Sequence, residues 1–95
     1  MPAPDDDVVF VGPALEAYLA HDAKTQAELA AIARGLFYEP FMDGETKFVE
    51  PVPYSAGVSV YERVYRGQEY WMYYEYDGDP VRLTVLDWGR LQPLA

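Results

Sequence analysis

Residues 58–88 read VSVYERVYRGQEYWMYYEYDGDPVRLTVLDW, and this stretch decides the fold. Its apolar residues recur at every second position in three segments, which is the period of a half-buried strand. Gly67 and the run from Asp77 to Pro80 separate the segments and supply residue types that favour turns. The stretch therefore predicts a three-stranded antiparallel meander, with strands at Val58–Tyr65, Glu69–Tyr76 and Val81–Trp88.

The two turns set the faces of this meander, because cross-strand neighbours share a face. A two-residue turn at Gly78-Asp79 and an odd-numbered turn at Arg66-Gly67-Gln68 predict a core face with Val60, Val64, Met72, Tyr74, Leu83 and Val85. The opposite face is then aromatic and basic, with Tyr61, Arg63, Tyr65, Trp71, Tyr73, Glu75, Arg82, Thr84 and Leu86. This register places Arg63 opposite Trp71 and Glu75 opposite Arg82. Aromatic rings beside arginine suit base stacking or a protein interface; burial of this second face under residues 38–57 is the alternative.

The first half of the chain has a helical period. Val8–Val11 is a short apolar run, and Pro13 is suited to the first position of a helix that continues through His21. Asp22 or Thr25 caps a second helix, which ends at Gly35 or at the Glu39-Pro40 step. Residues 38–57 contain three prolines and two glycines, so we expect an irregular connection with Lys47–Val49 extended. The prediction is one α+β domain over residues 1–95: a short strand, two helices and the meander, with residues 1–7 frayed.

Composition limits the function classes. A hydrophobic fraction of 51% provides a core, while the net charge of −9 disfavours nonspecific attraction to nucleic acid and favours a basic partner. The absence of cysteine fits a reducing compartment, so we expect a cytoplasmic protein. No apolar run approaches the ~20 residues that span a bilayer, and no secretory signal is recognisable, so no membrane association is expected.

Three segments of the sequence resemble the RelE/ParE family of bacterial type II toxins. They are Tyr61-Glu-Arg63 with Gly67, Tyr70-Trp-Met-Tyr-Tyr-Glu-Tyr-Asp-Gly78, and Val81-Arg-Leu-Thr-Val-Leu-Asp-Trp-Gly-Arg90. Members similarly have a basic strand, a glycine turn, a Tyr-Arg-apolar-apolar-Tyr strand, an acidic turn and a closing Gly-x-Arg or Gly-Arg. The likeness in element order covers nearly the whole chain.

This resemblance implies a toxin that a cognate antitoxin neutralises. It would act by ribosome-dependent cleavage of messenger RNA or, in the ParE branch, on DNA gyrase. Arg63 matches the basic strand residue and Arg90 the closing arginine. Arg82 is a third cation and Tyr73 the candidate acid or base, which would activate a ribose hydroxyl while the cations stabilise charge on phosphate. Tyr61, Tyr65 and Trp71 are the candidate binding residues.

A second interpretation stays open, because Trp71 stands where the family signature has an arginine and the surface is mostly acidic. The chain is then a non-catalytic interaction module that keeps the fold and binds a partner, or a second copy of itself as a homodimer, through its aromatic sheet. The arginines are in that case structural partners of the many carboxylates. No cofactor motif is present, and we expect no metal site, with His21 a helix C-cap rather than a ligand.

Overall fold

The computed structural model describes residues 7–78 and 81–91, which form two helices and a five-stranded mixed sheet. In chain order the elements are β1 Val8–Phe10, α1 Gly12–Ala20, α2 Ala23–Tyr38, β2 Lys47–Ser55, β3 Val58–Arg66, β4 Tyr70–Gly78 and β5 Val81–Arg90. The strand order across the sheet is β1-β5-β4-β3-β2. β1 is parallel to β5 and the other neighbours are antiparallel. The predicted α+β class is confirmed.

Both helices begin where the sequence predicts. Pro13 lies in the first turn of α1, and Asp22 caps α2 by accepting a hydrogen bond from the backbone N–H of Thr25 at 3.0 Å. Residues 1–6 of the predicted frayed segment lie outside the described residues. The prediction is wrong at Asp7, because its carbonyl oxygen accepts a hydrogen bond from the Leu83 N–H at 2.7 Å and so extends the pairing of β1 with β5.

The extended segment expected at Lys47–Val49 is confirmed as the start of β2, and the expectation of an irregular connection is wrong for residues 50–55, which continue this strand beside β3. Arg66 N–H donates to the Thr46 carbonyl at 2.7 Å, which makes this pair a hydrogen-bonded one. Because bonded and non-bonded pairs alternate along an antiparallel ladder, positions 47, 49, 51 and 53 turn their backbone groups away from β3. Pro51 and Pro53 therefore occupy edge positions where their missing N–H breaks no ladder bond.

On β4 and β5 the predicted core face is confirmed. Met72, Tyr74, Leu83 and Val85 are all buried. The register is two residues displaced from the prediction, since Tyr76 pairs with Leu83 and Gly78 with Val81. The predicted turn residue Asp79 lies outside the described residues, as does Pro80.

A β-bulge at Leu86 changes the phase of β5. Tyr74 pairs with Val85 and Tyr73 with Asp87, which leaves Leu86 without a partner on β4. Trp88 consequently faces the helices, where it is buried and its indole Nε1 donates to the Ala14 carbonyl at 3.0 Å. The prediction that placed Leu86 in phase with Arg82 missed this shift.

The predicted phase of β3 is wrong. Tyr65 pairs with Met72 and Arg63 with Tyr74, so the odd-numbered residues of β3 face the helices. Val60 and Val64 belong to the opposite face, although Val64 is fully buried there, as predicted. Arg63 is opposite Tyr74 rather than Trp71. The cause is the turn, which spans residues 67–70 between the paired Arg66 and Trp71 and is closed by a 3.0 Å bond from Gly67 N–H to the Tyr70 carbonyl. An even-numbered loop reverses the phase that an odd-numbered loop would give.

The helices cover only part of the sheet. Both pack on β1 and β5, and the buried cluster also contains β4 side chains. Its members are Ala14, Leu29, Ala33, Leu36, Tyr70, Met72, Tyr74, Leu83, Val85 and Trp88. On the same side of β3, the Tyr61 ring is 75% exposed. None of the described helices is long and apolar enough to cross a membrane.

Candidate functional site

The sheet divides between β3 and β4. These strands pair from Arg63↔Tyr74 to Arg66↔Trp71, while residues 58–62 pair with β2 and residues 75–78 with β5. We call the gap between these two segments the fork. It holds a cleft of about 240 Å³ lined by Tyr61, Glu62, Arg63, Tyr74, Glu75, Tyr76 and Asp77.

Two carboxylates lie where the strands separate. One more step of the register would place Glu62 opposite Glu75, and like charges in that position are destabilising. Burial raises the pKa of Glu62, and the negative charge of Glu75 raises it further. Among residues 7–78 and 81–91, neither carboxylate has an ion pair. Repulsion between these two groups is a physical reason for the fork to open at this point.

Glu62 also continues an acidic row across the sheet, because its partner on β2 is Glu50. Glu50 is neutralised by Arg66, whose Nη1 lies 2.6 Å from Oε1, and this hydrogen bond lowers the pKa of Glu50. Arg66 therefore compensates one end of the row. The charge of Glu62 and Glu75 remains uncompensated at the fork.

The loop between α2 and β2 closes the helix side of the fork. The Phe41 ring lies edge-on to Tyr76 with a centroid distance of 5.7 Å, and the Arg63 guanidinium lies over Phe41 at 5.6 Å. Tyr74 Oη donates to the Pro40 carbonyl at 2.7 Å in a buried position. The cleft consequently has aromatic rings and the Arg63 cation on the helix side, and carboxylates on the other side.

Asp43 gives this loop its shape. Its Oδ1 accepts hydrogen bonds from the backbone N–H groups of Glu45, Thr46 and Lys47 at 2.8–2.9 Å. These bonds lower the pKa of Asp43, with the Glu45 N–H contributing most. The Asp43 carboxylate thus holds the turn that leads into β2. Phe41 lies two residues before Asp43, so this turn also helps to fix the position of its ring.

The inner edges of the fork present backbone hydrogen-bonding groups. Glu62 and Val60 direct their N–H and C=O groups to β2, by the same alternation that begins at Thr46 and Arg66. Ser59 and Tyr61 therefore direct theirs toward β4, where the described ladder has already ended. Such groups need a partner, either water or another strand.

The sheet face opposite the helices, which we call the open face, also carries an aromatic pair. Trp71 and Tyr73 lie on β4 with their ring centroids 5.0 Å apart. The Trp71 indole lies across Gly89, where a Cβ atom would be 2.7 Å from the ring. Both rings are partly exposed, and they lie on the same face of β4 as Glu75. Glycine at position 89 is what allows the indole to lie flat against β5.

The predicted site residues are divided between the two faces. Tyr61, Arg63, Tyr65 and Arg90 lie on the helix side, and Trp71, Tyr73 and Arg82 lie on the open face. Arg90 is held by Glu69, with Nη1 2.9 Å from Oε1, and by the Thr25 hydroxyl at 3.3 Å. It also lies over the Tyr70 ring at 5.1 Å. The four predicted catalytic groups, Arg63, Tyr73, Arg82 and Arg90, are therefore not brought together around one point.

The structure adds Glu62, Glu75 and Phe41 to the candidate site. Sequence reasoning placed Glu75 beside Arg82, but Glu75 pairs with Thr84. The signal for the two glutamates was their equal spacing from the turn: Glu62 is four residues before Arg66, and Glu75 is four residues after Trp71. A four-residue turn would have placed them opposite one another. Nothing in the spacing of Phe41 indicated its contact with Tyr76.

No protein-family model, curated protein or solved structure matches this chain. Within the described ranges, no three histidine, aspartate or glutamate side chains are grouped as a metal site requires. The candidate site consists of two carboxylates, an aromatic pair and the edges of two strands.

Proposed function

We propose that this chain is a non-catalytic protein-interaction module that binds a basic segment of a partner protein through its open face. The observation that carries the proposal is the placement of Glu62 and Glu75 at the fork, where neither carboxylate has an ion pair within the part of the chain that the structure describes. The chain's net charge of −9 acts in the same direction at longer range. Complementary charge steers a partner to its site and selects against partners of like charge.

The aromatic pair supports binding rather than simple solvation of a charged surface. Trp71 and Tyr73 offer rigid apolar area beside the carboxylates. Tryptophan and tyrosine are enriched at the centre of protein interfaces, and arginine or lysine of a partner can also lie over their rings. A basic segment would therefore gain both ion pairs and ring contacts on one face.

The arrangement of cations favours binding over nuclease catalysis. Phosphate chemistry needs positive groups around one reacting phosphate. Here Arg63 and Arg90 lie on one side of the sheet and Arg82 on the other, and Arg90 is already paired with Glu69. The likeness to the RelE/ParE toxins, with its cognate antitoxin and its ribosomal or gyrase target, stays a prediction. The parallel strand β1, the two helices and the closing antiparallel strands are the features that would carry it.

Titration with short peptides tests the proposed function. An arginine- and lysine-rich peptide should bind, should bind more weakly as salt is raised, and should shift the amide resonances of β3 and β4. The same peptide with glutamate at the basic positions should not bind. Tyr73→Ala should weaken the binding, whereas Tyr38→Ala, which removes an exposed ring on α2, should leave it unchanged.

Two results would overturn this function. One is an absence of binding to any basic peptide at low salt by folded protein. The other is growth arrest with cleaved messenger RNA on expression of the chain alone, relieved by Arg63→Ala. That second result would establish the toxin activity instead.

A further inference from the structure

We infer that the partner segment binds in an extended conformation as an added strand on the inner edge of β3, within the fork. This inference rests on the proposed function and specifies its geometry. The position is distinctive because most strand-addition sites are the outer edges of sheets. Here the accepting edge lies inside the sheet, between two hairpin arms.

The two outer edges of the sheet are less suited to this role. β2 is nine residues long, but Pro51 and Pro53 remove two of its outward N–H groups. β1 has only three residues. The inner edge at Ser59 and Tyr61 has no proline and directs N–H and C=O groups into the cleft. Ser59 and Tyr61 therefore offer two outward N–H groups, whereas between Val49 and Pro53 the outer edge of β2 offers only that of Val49.

The charges define one side chain of the added strand. A residue opposite Val60 shares the open face with Glu62, and the long side chain of a lysine or arginine there can extend diagonally toward Glu62 and Glu75. A lysine or arginine at this position would compensate both carboxylates. It would also remove the repulsion that opposes pairing across the fork, which gives the segment an advantage that a neutral strand lacks.

The helix side defines the next side chain. The neighbouring residue of the added strand lies opposite Tyr61, and side chains alternate between faces along a strand. On this side it meets the exposed Tyr61 ring and the Phe41 ring that contacts Tyr76. An apolar residue fits there. The expected recognition sequence is thus an alternation of basic and apolar residues, and a cluster of basic residues alone would satisfy only one face.

Amide hydrogen exchange can distinguish this geometry from purely electrostatic binding. The probe is a synthetic peptide with alternating lysine and valine, measured on the full chain. The N–H groups of Val60 and Glu62 are already bonded to β2, so they report the stability of the arm and not the binding event. We expect the peptide to slow exchange specifically at Ser59 and Tyr61.

Two matched reagents complete the test. N-methylation of the peptide at alternate residues keeps its charges and side chains but removes backbone donors, and it should abolish the protection at Ser59 and Tyr61. The double variant Glu62→Gln with Glu75→Gln should weaken binding by about tenfold or more, which corresponds to about 1.4 kcal/mol. Glu16→Gln with Glu69→Gln, at exposed positions of α1 and of the turn at the other end of β3, is the control of equal charge.

Failure of the added-strand geometry and failure of the proposed function give different experimental results. If basic peptides bind but protect no amide of β3, or protect Val49 on the outer edge, the added strand is wrong while the proposed function stands. If no basic peptide binds, the function itself is overturned. Protection of Ser59 and Tyr61 that rises with protein concentration in the absence of peptide would assign the fork to a second copy of this chain and overturn the inference.

Discussion

The two arms of the sheet differ in how they are held. The β4–β5 arm lies under the helices, with Met72, Leu83 and Val85 fully buried on its inner side. In the β2–β3 arm Tyr65 packs against the buried cluster, but Val49 and Tyr61 on the same side are exposed. The two arms are joined through only four described residue pairs of β3 and β4. The first arm therefore supplies the strand side chains of the buried cluster, and the outer part of the second arm can bind a partner without opening that cluster.

The difference in packing between the two arms indicates where a binding site can lie in a small domain. A chain of 95 residues has a small stability margin, so a group that opposes pairing must lie where little packing depends on it. Glu62 and Glu75 meet this requirement because the strands separate beside them. The same pair placed near Leu83 would leave two charges in an apolar core.

The largest expected effect of a substitution is in the buried arm. Leu83→Ala removes a side chain with no exposed area and should lower the free energy of unfolding by about 2–5 kcal/mol. Val60→Ala in the other arm, where the side chain is partly exposed, should cost less than about 1.5 kcal/mol. Urea denaturation followed by circular dichroism measures both. Equal losses would contradict the division of the sheet into a core arm and a free arm.

A smaller effect is expected where the loop is fastened to the core. Tyr74→Phe removes the hydroxyl that donates to the Pro40 carbonyl and should cost about 1–2 kcal/mol, because a buried acceptor loses its partner. Tyr38→Phe is the matched control, since its ring is 72% exposed. If both substitutions cost the same, the Tyr74 hydrogen bond does not stabilise the loop.

The stability of the protein at alkaline pH also depends on the Tyr74 hydroxyl. Burial raises the pKa of Tyr74 from 10.0 to about 12. As pH rises, the Tyr74 hydroxyl therefore loses its proton in the unfolded chain before it does so in the folded protein. Its contribution to the free energy of unfolding is complete below pH 10 and is lost as pH rises toward about 12. Tyr74→Phe should show a shallower loss of unfolding free energy over this interval. Burial and a hydrogen bond with Glu28 also raise the pKa of Tyr70, but that contribution is present in both proteins and cancels.

The helices and the β4–β5 face were predictable from sequence because their signals are local. The helical period, Pro13, the Asp22 cap and the alternation of Met72, Tyr74, Leu83 and Val85 each act within a few residues. The phase of β3 was not predictable in this way. It depends on whether the turn beyond Gly67 has an odd or even number of residues, and one residue there reverses every side chain of the strand.

Two other features escaped prediction for a different reason. Pro51 and Pro53 are unfavourable within a sheet, so β2 could be recognised only after its position at the edge was known. The bulge at Leu86 has no glycine at that position by which it could be predicted from sequence, and it places Trp88 in the core. The candidate site was divided wrongly for the earlier reason, because the wrong phase of β3 assigned Arg63 to the face that Tyr73 occupies. Contacts between distant segments, such as Phe41 with Tyr76, leave no periodic signal.

The smallest effect is expected at the fork, and it should have the opposite sign. Burial and the charge of Glu75 raise the pKa of Glu62, which means that the folded state holds this proton more tightly than the unfolded chain does. The protonated Glu62 carboxyl stabilises the fold fully at pH values below its pKa in the unfolded chain, and this stabilisation is lost as pH rises through its pKa in the folded protein. At neutral pH the ionised carboxylate therefore opposes folding.

Glu62→Gln should stabilise the protein at neutral pH, by less than about 1 kcal/mol, and the gain should disappear in acid, where the wild-type carboxyl is protonated. Glu16→Gln on the exposed surface of α1 serves as the control. A Glu62→Gln variant that is less stable than wild type at neutral pH would mean that the carboxylate makes a favourable contact, and repulsion could no longer explain why the two arms separate.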